Sequence, residues 1–122
     1  MRVVLALVAI LAAYGPALAE NPYAAAGISN PAHVTQFLAR LQHAMAAGDR
    51  ASVAAMVRYP LTVYPMKGQP MTYRNAASLM ANYARIFTPE IKAAVAAARP
   101  YNLFARDQGV MIGNGEIWMN EI

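Results

Sequence analysis

The chain has no cysteine, one tryptophan, two histidines and only six acidic residues against ten basic ones in 122 positions. Without cysteine there are no disulfides, and no lipid-modified cysteine follows the leader described below, so stability must come from packing. The basic residues beyond Arg2 are scattered as Arg40, Arg50, Arg58, Lys67, Arg74, Arg85, Lys92, Arg99 and Arg106. Nucleic-acid binding needs a clustered patch, so that class is excluded. His33 and His43 have no second histidine, cysteine or nearby acid at metal-ligand spacing. No metal and no cofactor is therefore expected. There is no G-x-S-x-G, no phosphate-binding P-loop and no H-E-x-x-H. Gly113-Asn-Gly115 has the composition of a phosphate loop but lacks a following helix whose N-terminus would hold the anion.

What the chain does have begins at its start. Met1-Arg2, an apolar run from Val3 to Ala13 and the small residues Ala17 and Ala19 form a secretory signal. Cleavage is expected after Ala19, giving a periplasmic or secreted product. Gly15-Pro16 interrupts the apolar run well short of the ~20 residues that cross a bilayer, so no stable membrane anchor is expected after cleavage. The organisation is then a signal at 1–19, a flexible N-terminus at 20–30, and one domain at 31–122.

Asn30-Pro31 reads as a helix cap followed by a proline in the first turn. Val34, Phe37, Leu38, Leu41, Ala44 and Met45 follow at helical spacing, with Gln36, Arg40 and His43 opposite. Gly48 ends this helix and Asp49 caps a second, which buries Val53, Met56 and Val57. Pro60 stops it. Leu61 to Tyr64 alternates as a strand, Lys67-Gly-Gln69 turns, and Met71 to Arg74 returns. Pro60, Pro65 and Pro70 place this ribbon at a sheet edge or at a bulge. Asn75 caps a third helix running to Phe87. Thr88-Pro89-Glu90 opens a fourth, with Ile91, Ala94, Val95 and Ala98 inward.

From Tyr101 the pattern is β. Leu103 to Arg106 is a strand, Asp107-Gln-Gly109 a turn, and Val110 to Glu121 a long strand. Gly113 and Gly115 give that strand a bulge or bend; a hairpin turn at Asn114-Gly115 is the rival reading. The bend is preferred, because Asp107-Gln-Gly109 already supplies a turn. The fold class is α+β: helices packed on a curved antiparallel sheet.

Four phrases carry a resemblance: Val57-Arg-Tyr-Pro-Leu61, Tyr73-Arg-Asn-Ala-Ala77, Ile86-Phe-Thr-Pro-Glu90 and Gly109-Val-Met-Ile-Gly-Asn-Gly-Glu-Ile-Trp118. With this order of elements the chain resembles small secreted bacterial members of the nuclear transport factor 2-like (cystatin-like) superfamily, over roughly Val34 to Met119. The resemblance implies a cone-like domain with a pocket at its mouth. It covers enzymes of the ketosteroid-isomerase and polyketide-cyclase kind as well as binding and dimerisation modules. Superfamily members carry more strand after the equivalent of Trp118, which implies a truncated C-terminal strand set or a strand borrowed from a partner.

An isomerase-like site needs a carboxylate of raised pKa in an apolar pocket. Asp49 is explained as a cap and Asp107 as a turn residue, which leaves Glu116, read as sharing a strand face with Trp118. Tyr64, Tyr73, Tyr83, Phe87 and Trp118 form a candidate ligand-binding set, with Arg106 steering an anionic group. For Tyr83 and Phe87 the helical spacing also fits plain core packing. Met45, Met56, Met66, Met71, Met80, Met111 and Met119 suit an irregular core or a soft binding surface. The expected function is non-enzymatic. The domain would bind a small apolar or aromatic ligand, an envelope protein, or a second copy through its sheet. The alternatives are a small isomerase or hydrolase using Glu116, and an envelope inhibitor or stress protein acting by strand addition.

Overall fold

The computed structural model describes residues 2–4, 21–65 and 67–121. The apolar run beyond Val4, the cleavage position at Ala19 and Met66 lie outside the described residues. The class is α+β. Its elements are β1 (Arg2–Val4), α1 (Pro31–Ala46), α2 (Arg50–Ala55), β2 (Leu61–Tyr64), β3 (Met71–Tyr73), α3 (Ala76–Ala81), α4 (Tyr83–Ile86), α5 (Pro89–Ala97), β4 (Phe104–Arg106), β5 (Gly109–Ile112) and β6 (Ile117–Met119). Short 3-10 turns sit at Ala24–Ala26 and Pro100–Asn102.

The helix starts follow local chemistry. The side chain of Asn30 accepts from Ala32 N at 3.0 Å, Asp49 from Ser52 N at 3.1 Å, Asn75 from Ser78 N at 2.9 Å and Thr88 from Ile91 N at 3.4 Å. Each satisfies an amide that the first helical turn leaves unpaired. α1 buries Val34, Phe37, Leu38, Leu41 and Ala44, the face its apolar spacing marks out. Gln36, Arg40 and His43 are exposed. α1 is tied to α5 by Gln42, whose Nε2 donates to the carbonyls of Val95 (2.9 Å) and Ala98 (2.8 Å).

The strands form two antiparallel sets. One is the hairpin β2–β3, in register Leu61↔Tyr73 and Val63↔Met71. The other is the meander β4–β5–β6, in register Phe104↔Met111 and Met111↔Trp118. β1 lies between them, antiparallel to β2 and parallel to β6, which completes the order β3-β2-β1-β6-β5-β4. The helices and one sheet face share a single apolar cluster. It includes Phe37 and Leu41 of α1, Leu61, Val63 and Tyr73 of the hairpin, and Val110, Ile112, Ile117 and Met119 of the meander.

Three expectations need correction. First, residues 110–121 are not one bent strand. β5 and β6 pair as Ile112↔Ile117, and residues 113–116 form the turn between them. Gly113 and Gly115 hold φ of 65° and 98°, values that non-glycine residues seldom adopt and that suit a turn.

Second, the third helix breaks at Asn82, where φ is −116° and ψ 18°. The Asn82 side chain donates to Ser78 O at 2.8 Å. It thus takes the acceptor that its own amide would use in an unbroken helix.

Third, residues 21–30 are anchored to the domain through two side chains. Tyr23 and Ile28 are in the core, Tyr23 OH donates to Pro100 O at 3.1 Å, and Asn21 Nδ2 donates to Ile28 O at 2.6 Å. Two apolar residues five apart follow neither a helical nor a strand period, so periodicity does not find them.

Candidate binding face

Side chains alternate across a strand, and residues directly opposite on paired strands share a face. Val110, Ile112, Ile117 and Met119 point into the helix-packed core. Phe104, Met111 and Trp118, in register with one another, therefore form a row across the other face of the meander. Trp118 is only 5% exposed and yet stands outside the core cluster. Met111 is half-buried. Phe104, on the outermost strand, is 55% exposed. Arg106 lies two residues beyond Phe104 and is exposed on the same face.

On the hairpin, Leu61 and Val63 enter the core. Thr62 and Tyr64 thus share the outer face, and Tyr64 is 48% exposed. Thr62 Oγ1 lies 3.3 Å from Thr72 Oγ1 across the pair.

The aromatic set named from sequence accordingly divides. Tyr64, Arg106 and Trp118 occupy the outer sheet face. Tyr73, Tyr83 and Phe87 are buried in the core cluster. The rings of Tyr83 and Phe87 lie 4.6 Å apart, and the Arg50 guanidinium sits 5.0 Å from the Tyr83 ring centre. Burial pushes the Tyr83 phenol above its ordinary pKa.

Glu116 belongs to the 113–116 turn and not to a strand beside Trp118. Its carboxylate accepts the Asn114 backbone N–H. That bond closes the turn, and Glu116 therefore does not occupy the strand position that the shared-strand reading required.

One polar cluster was not foreseen. Glu121 accepts from Ser29 N (3.0 Å) and Ser29 Oγ (2.8 Å), and its Oε2 lies 3.9 Å from His33 Nδ1. Here the hydroxyl is hydrogen-bonded to the carboxylate. In a nucleophilic triad the hydroxyl would face the imidazole, with the acid behind it. The cluster joins residues 92 apart, and no local spacing signals it.

Two hollows flank α1. The cavity between α1 and β6, lined by Ile28, His33, Val34, Phe37 and Met119, holds about 10 Å³, roughly the space of a single water. The larger hollow, about 400 Å³ between α1 and α5, is an open groove along Leu38, Gln42 and Ala96. Among the described residues no group of three metal-ligating side chains occurs, and no helix is long and apolar enough to cross a membrane. In comparisons with family models, curated proteins and solved structures, the chain matches none.

Proposed function

We propose that this is an exported α+β domain, of the nuclear transport factor 2-like kind, that binds a protein partner through its sheet and carries out no chemistry of its own. The supporting observation is the Phe104–Met111–Trp118 row, which runs from a buried tryptophan to an open edge strand. Rigid aromatic anchors beside an arginine are typical of protein contact surfaces. Arg106 supplies the charge at the rim of this one. The reading with a small ligand inside a cone draws less support, because the cavity between α1 and β6 holds a water and not an aromatic ring. The enzymatic reading is less favoured too, because Glu116 is spent on its own turn.

The test is a photo-crosslinking residue placed at Phe104 in the exporting cell, with the same residue at exposed His43 as control. Position 104 is expected to give a discrete adduct of defined mass that Arg106→Glu weakens, while position 43 gives none. Equal labelling at both positions, or none at either, rules out the outer face as a binding surface.

A further inference from the structure

β1 is three residues long, Arg2–Val4, and it fills an internal place in the sheet. It is also the front of the segment read as an export signal. These facts together have a structural consequence. We propose that Arg2–Val4 is a place-holder strand. Its departure with the leader opens a slot between β2 and β6 that accepts an extended, proline-free segment of a partner protein. The proposal rests on the export reading above and adds to it how the partner is engaged and when.

The geometry sets what the occupant must be. It runs antiparallel to β2 and parallel to β6, as β1 does. Its central residue takes the register position of Val3, opposite both Val63 and Ile117. Those two residues are 5% and 0% exposed and face the core. The central residue is therefore apolar, and a β-branched one suits a pleated, covered surface. The next residue takes the position of Val4, opposite Trp118. It thereby extends the Phe104–Met111–Trp118 row. The occupant must keep its amide protons, because a strand in the middle of a sheet donates to its neighbours. This is recognition by strand addition, with main-chain bonds for affinity and alternate side chains for selectivity.

The competing event is closure. β2 and β6 are both aligned on β1 and run antiparallel to each other, so they could pair directly. They are two strand spacings apart, and closing the slot moves the hairpin by roughly 4.8 Å. Leu61, Val63 and Tyr73 would then leave their places in the cluster they share with Ile117 and Met119. Close-packed interiors resist a shift of that size, and the slot therefore stays open.

The test uses the full chain expressed with its leader, recovered both processed and with cleavage blocked by Ala19→Pro. Mass spectrometry establishes the N-terminus of each. The probe is a synthetic peptide of residues 1–5 with a C-terminal oligolysine tail, compared with its Val3→Pro counterpart. Trp118 fluorescence reads binding, and amide exchange is followed at Leu61–Tyr64 and Ile117–Met119. In the processed chain these strands are expected to exchange faster than in the blocked one, and the peptide slows them again. Binding to the processed chain is expected to be at least about tenfold tighter than to the blocked chain, and the proline peptide loses it, since proline removes a ladder donor. Val3→Pro in the blocked chain opens the slot without shortening the protein and restores peptide binding.

A recovered chain that still begins at Met1 in the exporting cell overturns the export reading and this proposal together. A processed chain whose β2 and β6 amides stay protected without peptide has closed the slot. That result overturns the proposal alone.

Discussion

Ser29 and Glu121 stand 92 residues apart and make two hydrogen bonds, through the backbone N–H and the hydroxyl of Ser29, to one carboxylate. They fasten the entry to α1 to the segment that leaves β6. Glu121→Ala removes both acceptors and is expected to lower stability by about 1–2 kcal/mol, the scale of charged hydrogen bonds at a partly open site. Ser29→Ala should cost less, since the backbone N–H bond survives. Chemical denaturation of the three proteins measures the order, and equal midpoints would mean the clasp contributes nothing.

Gly109 and Gly113 make different demands. A Cβ on Gly109 would lie 2.7 Å from the Met119 carbonyl oxygen, and φ there is 136°. A Cβ on Gly113 would run into the Glu116 carboxylate, the end of a flexible side chain, at φ 65°. Gly113→Ala is expected to cost about 1 kcal/mol for the left-handed backbone. Gly109→Ala is expected to cost more, because a paired strand cannot step aside. A thermal melt of each variant decides this, and the reverse order would show that the β5–β6 register is misplaced.

Tyr83 is 4% exposed, and its hydroxyl has no hydrogen-bond partner among the described residues. An unsatisfied buried hydroxyl is a cost. Tyr83→Phe is thus expected to be neutral or to stabilise by up to about 1 kcal/mol. The phenol's pKa is raised by burial. Its contribution to stability is complete below the ordinary tyrosine value of 10.0 and is lost as pH rises from there through the folded value. Tyr83→Phe should therefore resist alkaline unfolding better than the parent, as followed by circular dichroism against pH. Earlier alkaline unfolding of the variant would contradict this.

Asp49 accepts from Ser52 Oγ at 2.6 Å and Ser52 N at 3.1 Å, and these bonds hold its carboxyl below the ordinary value of 3.8. A depressed carboxylate pKa contributes stability above the unfolded value, and that contribution is lost as pH falls through the folded one. Ser52→Ala removes the larger cause and is expected to raise the Asp49 pKa. Carbon-detected NMR titration reads the change directly, and an unmoved Asp49 would assign the shift to the backbone amide alone.

Much of the helical half is legible from local chemistry. Asn30, Asp49, Asn75 and Thr88 cap helices because short polar side chains reach amides two or three residues ahead. The β half is less legible. Gly113 and Gly115 fit either a bend or a turn, and the choice depends on whether Ile117 finds Ile112, a long-range fact. The pairing of Asp107–Gln108 as a separate hairpin turn did not exclude a second one six residues on.

At the candidate face, Tyr64, Arg106 and Trp118 can be picked out of the sequence singly, but the sheet face they share cannot. The row becomes visible only when strand registers put Phe104 and Met111 beside Trp118. Phe104 itself carries no sequence signal, because a lone aromatic in a three-residue strand has no periodic partner. Glu121 is silent in the sequence for a related reason, since its partners Ser29 and His33 lie far back along the chain.

The anchoring of Tyr23 sets a limit on how far the N-terminus can be shortened. With Tyr23 in the core and bound to Pro100, and with Asn21 bracing Ile28, a protease has little latitude. Removing the residues ahead of Asn21 spares every one of these ties. A cut three residues later would strip the domain of an interior aromatic, so the boundary of the stable body itself dictates where trimming must stop.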